Sequence, residues 1–372
     1  MKVLVTGASG FVGQNLIAHL SERRDVEIVR FTRENTVVDF PDLLAGVSFV
    51  FHLAGVNRPD NQQEFVDGNT DLTIALGAAI QATGRKIPVL YTSSSQAESD
   101  NPYGLSKRGA EQALLTLNTH YGSSVHIFRL PNVFGKWARS NYNSVVATFC
   151  HNIARNLPIK ISDPSVQLTL VYIDDVVKQF IALMDGAVAT SLFVEVQPQY
   201  RITVDALAEQ LHSFCDSRRS LVTEPVGTGL TRALYSTYLS YLPPESFAYE
   251  VPKYGDSRGV FVEMLKTKDS GQFSFFTAHP GITRGGHYHH SKTEKFLVIK
   301  GKACYRFRHI ISGEFYELFT DGEQPQIVET VPGWTHDITN VGNDEMIVML
   351  WANEIFDRET PDTFALPVGE IA

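Results

Sequence analysis

The chain has 372 residues, with 32 basic and 41 acidic side chains and a formal net charge of −9. That balance argues against nucleic acid as the main partner, because binding a phosphate backbone needs a basic surface, whereas a nucleotide needs only a few local donors. A hydrophobic share of 43% is too high for a disordered chain, and the length exceeds what one core usually holds, so two domains are expected.

Cys150, Cys215 and Cys304 are far apart and odd in number. They suit a reducing compartment and offer no disulfide framework. Met1-Lys2 is followed by a short apolar run that breaks at Gly7, unlike the longer core of a secretory signal. No apolar run reaches the roughly 18 residues of a membrane span. A soluble, cytoplasmic protein with no membrane or nucleic-acid partner is expected.

In chain order, Val3–Thr6 reads as a strand, Phe11–Leu20 as a helix, and Val26–Phe31, Ser48–Leu53 and Val89–Thr92 as strands. Tyr103–Tyr121 reads as a helix and Val125–Leu130 as a further strand. Strands alternating with helices mean βαβ units and a parallel sheet. From about Leu221 to Tyr254 the pattern breaks at Pro225, Gly227, Gly229, Pro243, Pro244 and Pro252, with one helical piece at Ala233–Leu242. This stretch reads as an inter-domain connection, and the boundary is placed at 1–245 and 246–372. Beyond Gly255, Phe273–Thr277, Lys295–Ile299, Ala303–Arg308 and Met346–Trp351 read as strands. An all-β second domain is expected.

Strand one ends in Gly7-Ala8-Ser9-Gly10-Phe11-Val12-Gly13. Gly7 permits the tight turn, Gly10 the approach of a pyrophosphate, and Gly13 the packing of helix on strand, with the helix N-terminus aimed at the phosphates. Following a strand and opening a helix, this loop predicts a dinucleotide site. The second strand runs into Thr32-Arg33 instead of an acidic residue, with Arg30 nearby. That end suits a 2′-phosphate, so NADPH is the expected cofactor, with Asp39 near the adenine. Tyr103 and Lys107 stand at i and i+4 on one helix face. A Lys beside a phenol lowers its pKa, and such a Tyr can protonate a carbonyl oxygen as hydride arrives. Ser93-Ser94-Ser95 would supply a hydroxyl to hold that oxygen.

These motifs, with His52-Leu53-Ala54-Gly55, Asn69, Arg129-Leu130-Pro131-Asn132-Val133-Phe134-Gly135 and Tyr172-Ile173-Asp174-Asp175-Val176, make residues 1–220 resemble an extended short-chain dehydrogenase/reductase. The resemblance implies a Rossmann-type domain acting on a nucleotide sugar. Ser95 is then the catalytic serine, with Ser94 next, and Leu53, Ala54 and Gly55 lie at the cofactor. Asn132, Lys136, Arg139 and Asn141 are implied substrate residues.

The second half carries Gly281-x5-His287-x-His289-x4-Glu294-x6-Gly301, then Pro332-Gly333-x2-His336-x3-Asn340. His287 and His289 share a strand face, and Glu294 and His336 would return on neighbouring strands. Three imidazoles and a carboxylate suit a divalent metal; zinc fits, and so would iron, manganese or nickel. The region resembles the cupin barrel, with a shortened second motif at Pro332-Gly333. Asp256-Ser257-Arg258-Gly259 and Thr283-Arg284-Gly285-Gly286-His287 resemble the nucleotide-sugar 3,5-epimerase branch, making Arg258 and Arg284 substrate candidates. In that branch the histidine at the position of His287 is a base. Here His289, Glu294 and His336 complete a ligand set, and a metal role for His287 is favoured. Lys295, His290, Asp337 and Tyr316 remain candidates for proton transfer.

Reductase followed by cupin is similar to a bifunctional epimerase/reductase family of capsular polysaccharide synthesis. The resemblance implies C3 epimerisation of a UDP-4-keto-2-acetamido-2,6-dideoxyhexose, then NADPH reduction at C4, in a homodimer. Two alternatives are another 4-keto-6-deoxy sugar, such as a dTDP-linked rhamnose intermediate, and a non-catalytic NADPH sensor.

Overall fold

The computed structural model describes all residues except 190, 247–248, 250, 290–291, 311–312, 325, 331–333 and 370–372; the side chains of 245 and 329 are also not described. His290, Pro332 and Gly333 therefore lie outside the described residues. The chain divides into two compact units, residues 1–211 with 233–242, and residues 212–232 with 243–372. The 221–254 stretch is thus shared between the units, where composition alone predicts a simple connection. Among the described residues no helix is long and apolar enough to cross a membrane.

The first unit holds strands β1 (Lys2–Thr6), β2 (Glu27–Phe31), β3 (Phe49–His52), β4 (Val89–Ser94) and β5 (Val125–Leu130) in the order β2-β1-β3-β4-β5. Every pair is parallel. These runs are apolar on both faces because helices cover both sides of a parallel sheet. Leu4, Val50, Val89 and Ile127 pack with Leu76 and Ile80 of the Leu72–Ala82 helix and with Ala110 and Leu114 of the Pro102–Thr116 helix. The latter helix begins where Asn101 Oδ1 accepts the Gly104 N–H at 2.8 Å and Pro102 occupies the first turn. Tyr103 therefore sits at the start of a helix lying against β4. A small second sheet follows, of β6 (Asn132–Phe134), β7 (Gln167–Tyr172) and β8 (Tyr200–Thr203).

The second unit begins with β9 (Val222–Thr223), β10 (Lys253–Asp256), β11 (Gly259–Thr267) and β12 (Gly271–Ala278). Then come β13 (Thr283–Tyr288), β14 (Glu294–Lys300), β15 (Lys302–His309) and β16 (Phe315–Asp321). The last four are β17 (Ile327–Glu329), β18 (Trp334–Asn340), β19 (Met346–Ala352) and β20 (Phe364–Ala365). One sheet runs β10-β11-β12-β19-β14-β17, with β9 parallel to β11; the other runs β16-β15-β18-β13-β20. Phe276, Phe296, Val298 and Val348 of the first meet Tyr305, Phe307 and Ile338 of the second in one core. This is the all-β architecture that the cupin resemblance implies. The β9 pairing explains why residues 221–232 join this unit, although their Pro and Gly content reads as a loop.

Candidate functional site

The glycine loop lies between the end of β1 and the Phe11–Ser21 helix. Gly7 has φ +65°, and a Cβ there would stand 2.7 Å from the Ala54 backbone nitrogen; one on Gly13 would stand 2.3 Å from the Gly7 carbonyl oxygen. Only glycine lets the helix start and the β3 end approach this closely. Thr6 Oγ1 accepts the Leu53 and Ala54 N–H groups, both at 3.1 Å, and pairs with His52 Nδ1 at 2.8 Å. His52 Nε2 meets Thr73 Oγ1 at 2.8 Å, and burial, then the Lys107 charge, holds this imidazole neutral with a pKa of about 3. Leu53-Ala54-Gly55 is thereby pinned beside the loop, where the resemblance puts it.

An open groove of about 470 Å³ runs from Ala8 and Ser9 past Gln14 to Arg30, Thr32 and Trp137. Arg30, not Arg33, is the arginine that lines it. Arg33 is exposed one residue beyond Thr32, whose backbone N–H is held by Asn35 Oδ1 at 2.9 Å. Asp39 closes the Thr36 turn, accepting the Thr36 N–H at 2.8 Å. The glycine cradle and the groove beside it, lined by Arg30, fit a dinucleotide.

At the end of β4 the Ser94 side chain stands beside Tyr103 and acts to lower the pKa of its phenol. Ser95, expected to be the catalytic serine, is exposed and opens the next turn, Ser95–Glu98. The hydroxyl that faces Tyr103 belongs to Ser94. Lys107 is fully buried and donates to the Thr92 carbonyl at 3.0 Å. Burial lowers its pKa to about 8 against a raising effect from Glu111. Burial raises the Tyr103 phenol above its ordinary value, partly offset by Ser94, so the lowering expected from Lys107 is not the ruling effect in this protein. Asn69, buried, bonds both backbone groups of Val56 and the Ser106 hydroxyl, clamping the β3 loop to the helix that carries Tyr103.

The implied substrate residues are placed unevenly. Lys136 is ion-paired with Asp174 at 2.5 Å, so its charge is already answered. Asn132 donates to the Thr169 carbonyl at 3.2 Å, and Asn141 holds a left-handed turn with φ 55°. Arg139 stacks on the Tyr142 ring at 5.1 Å, and Arg58, from the loop after β3, stacks on the same ring at 5.4 Å. In the second unit Arg258 is exposed and paired with Asp256. Arg284 lines the core cavity, donating to the Thr277 carbonyl at 3.1 Å.

That cavity, about 170 Å³, lies between the two sheets and is walled by Phe261, Phe276, Phe296 and Phe307. His287, Glu294 and His336 also line it. With His289 they offer ligand atoms that all lie within 4.8 Å of one another. His287 and His336 face each other across β13 and β18, beside a register shift at Gly285 that re-aims the strand. His289 Nε2 stands 3.2 Å and His336 Nε2 3.5 Å from Glu294 Oε2. Among the described residues the buried His336 Nε2 atom has no hydrogen-bond partner. His289 is oriented through Nδ1 by the Asp362 carbonyl at 2.5 Å, as metal-binding imidazoles usually are by an outer partner. Burial, then His336, lowers the His287 pKa to about 4 and keeps it in the neutral form that coordinates. Burial alone would raise the Glu294 carboxyl, but His289, His336 and Lys292 outweigh it and hold it ionised. This donor set fits a divalent cation. Sequence reasoning missed Lys292, buried and 2.9 Å from Glu294 Oε1.

Of the expected proton-transfer residues, Asp337 lines the cavity, but its carboxylate is bound by both arms of Arg306 at 2.9 and 2.6 Å. Lys295 is exposed between buried Glu294 and Phe296, and Tyr316 is exposed at the end of the strand face that carries Leu318, its ring 6.5 Å from Phe307.

Residues 3–191 match the NAD dependent epimerase/dehydratase family, just over half of the chain. The chain belongs to that family. Residues 254–364 match a second description, the polysaccharide biosynthesis C-terminal domain. Over 370 residues, all of both chains, this epimerase/dehydratase family member is 66% identical to a UDP-2-acetamido-2,6-beta-L-arabino-hexul-4-ose reductase of Pseudomonas aeruginosa. Its fold matches the capsular polysaccharide assembling protein CapF of Staphylococcus aureus with a TM-score of 0.92 at 41% identity, covering 99% of this chain and 100% of the other. A UDP-glucuronic acid 4-epimerase of Bacillus cereus, solved with NAD, shares the fold at a TM-score of 0.56 and 16% identity, over 65% of this chain and 98% of its own.

Proposed function

We propose that this protein is a two-step nucleotide-sugar enzyme. The β unit inverts C3 of a UDP-linked 4-keto-2-acetamido-2,6-dideoxyhexose, and the Rossmann unit then reduces C4 to the UDP-2-acetamido-2,6-dideoxy-L-talose. The product is a precursor of UDP-N-acetyl-L-fucosamine for surface polysaccharide. The observation that carries this reading is the end-to-end identity of 66% to a UDP-2-acetamido-hexulose reductase, on a chain whose own Tyr103, Lys107 and Ser94 converge beside a dinucleotide loop.

The chemistry orders the steps. The C3 proton of a 4-keto sugar is acidic because the enolate spreads charge onto the C4 oxygen. Reduction removes that carbonyl and the acidity with it, so inversion must precede reduction. In the β unit His287, His289, Glu294 and His336 would hold a divalent ion, with zinc the first choice for this set. When bound, such an ion supplies positive charge that favours the enolate. Arg284 and the phenylalanine walls hold the sugar away from bulk water. In the Rossmann unit a nicotinamide, when bound, supplies the hydride for C4. Tyr103 gives its proton to the C4 oxygen, Ser94 orients that oxygen, and protonated Lys107 steadies the charge left on Tyr103.

The direct test is to incubate the full chain with the UDP-linked ketone in deuterated water, first without and then with NADPH. Solvent deuterium at C3 without NADPH, then a single reduced product, is the expected result. A dTDP-linked rhamnose intermediate turned over in preference to the UDP sugar would replace this substrate assignment with the runner-up.

Arg30 in the groove favours NADPH over NADH. Arg30→Ala is expected to weaken NADPH by about 1.5–3 kcal/mol, the range for a hydrogen bond to a charged group, and to leave NADH nearly unchanged. Equal KM values for the two cofactors in the parent protein would refute the preference. The pH dependence has a definite sign. Lys107, with a pKa of about 8, is protonated below that value and neutral above it. The reduction rate should therefore hold near neutrality and fall as pH rises through about 8, which a kcat/KM profile would show.

A further inference from the structure

Tyr103, Lys107 and Glu111 occupy i, i+4 and i+8 of one helix, so all three share a face. That face meets the last three residues of β4 in turn. The Thr92 carbonyl accepts from Lys107 at 3.0 Å, the Ser93 hydroxyl donates to Glu111 Oε1 at 2.5 Å, and the Ser94 hydroxyl meets Tyr103. Arg129, in register with Ser93 on β5, closes on Glu111 with a fork of 2.9 and 2.7 Å. Its guanidinium stacks on Phe193 at 4.6 Å and reaches Glu98 at 3.0 Å. Glu111 is only 2% exposed. A carboxylate this deep is costly to keep ionised unless it is fully paired, and a buried pair is weak evidence for stability alone.

We infer that Glu111 is a positioning residue for reduction, which seats the Tyr103–Lys107 pair on β4 and supplies the negative charge that holds the proton on that pair. This inference rests on the reductase reading above. The groups facing Lys107 leave Glu111 as the source of that charge. His52, from β3, is neutral, and the Tyr91 ring, 5.0 Å from Nζ, is a phenol whose pKa burial pushes well above its ordinary value. Tyr103 is neutral across the same range, again through burial. Among the described groups facing Lys107, Glu111 brings a negative charge, and Arg129 draws part of it away.

That opposition makes the inference testable by sign. Glu111→Gln removes the negative charge, so the pair gives up its proton more easily. Its high-pH limb in the kcat/KM profile for reduction should move down by roughly one pH unit, a loss of about fivefold at pH 8 that approaches about tenfold well above it. Arg129→Gln leaves the carboxylate with Ser93 and protonated Lys107 as its answering groups, so its charge bears more on Lys107 and the limb should move up. Opposite displacements are expected, with the KM for NADPH little changed in both. A purely structural tie would lower kcat in both variants and leave the limb where the parent has it, and that result would overturn the inference. Should Glu111→Gln fail to fold by circular dichroism, Arg129→Gln decides alone: an upward limb supports the role, and an unmoved or lowered limb ends it. If the parent protein does not reduce the UDP-linked ketone at all, the functional reading has failed and not this inference.

Discussion

Replacing Tyr103 by Phe is expected to stop reduction while leaving the C3 exchange intact. In the proposed reaction the phenol gives its proton to the C4 oxygen, and loss of a general acid typically costs on the order of 10²–10⁴-fold. The polar neighbour of the phenol is Ser94, so the fold should lose no more than about 1 kcal/mol. NADPH oxidation and deuterium incorporation would be followed in one sample. The outcome against the reading is turnover close to the parent's, which would revive a binding role for the Rossmann unit. Ser94→Ala should lose less, because it orients the oxygen without giving the proton. Ser95→Ala, at an exposed turn position, should be nearly silent. A deep loss from Ser95→Ala with Ser94→Ala unaffected would reverse the assignment of the two serines.

His336→Ala is expected to do the opposite. It removes one of the four converging side chains proposed to hold the metal and leaves a buried gap between Phe296 and Phe307, both of which pack on the imidazole. Metal content by elemental analysis should fall, and C3 exchange should drop by at least about 100-fold, since charge stabilisation by a metal is worth several kcal/mol. Oxidation of NADPH with the starting ketone should fall in step. With the C3-inverted ketone it should run at the parent rate, because that substrate no longer needs the β unit. Undiminished exchange in a metal-free variant would remove the metal from the reaction. His287→Ala separates the two readings of that residue. Loss of metal marks a ligand, whereas retained metal with lost exchange marks the base.

The strands around the nucleotide loop were legible because each is an apolar run bounded by turn residues. Val125–Leu130 is observed as read, and Val26–Phe31 is shorter by one residue. The Tyr103–Tyr121 helix begins a residue earlier, at Pro102, because Asn101 caps it, and its end continues past Thr116 as a wider turn, Leu117–Tyr121. The four histidine-cluster residues were legible from spacing alone, and they do converge. Which serine serves Tyr103 was not legible, because counting residues does not say where β4 stops and the turn begins. Nor was Glu111, since a helical carboxylate is ordinarily solvated and only the sheet reveals that this one is buried. Lys292 was hidden for the same reason. The role of 221–232 was missed because β9 pairs with β11 more than forty positions away, a contact that local composition does not encode.

The ladder of Thr92, Ser93 and Ser94 has a consequence for how the enzyme fails. Three consecutive residues of an interior parallel strand each serve a different helix residue, and Ser93 also faces Arg129 in register. A one-residue slip of β4 would turn every side chain to the other face and break all three contacts together. Partial seating has no intermediate geometry, so each molecule is either assembled or inert. Heat or mild denaturant should then lower the count of working molecules, seen as a falling kcat at constant KM, before any loosening of substrate affinity is seen.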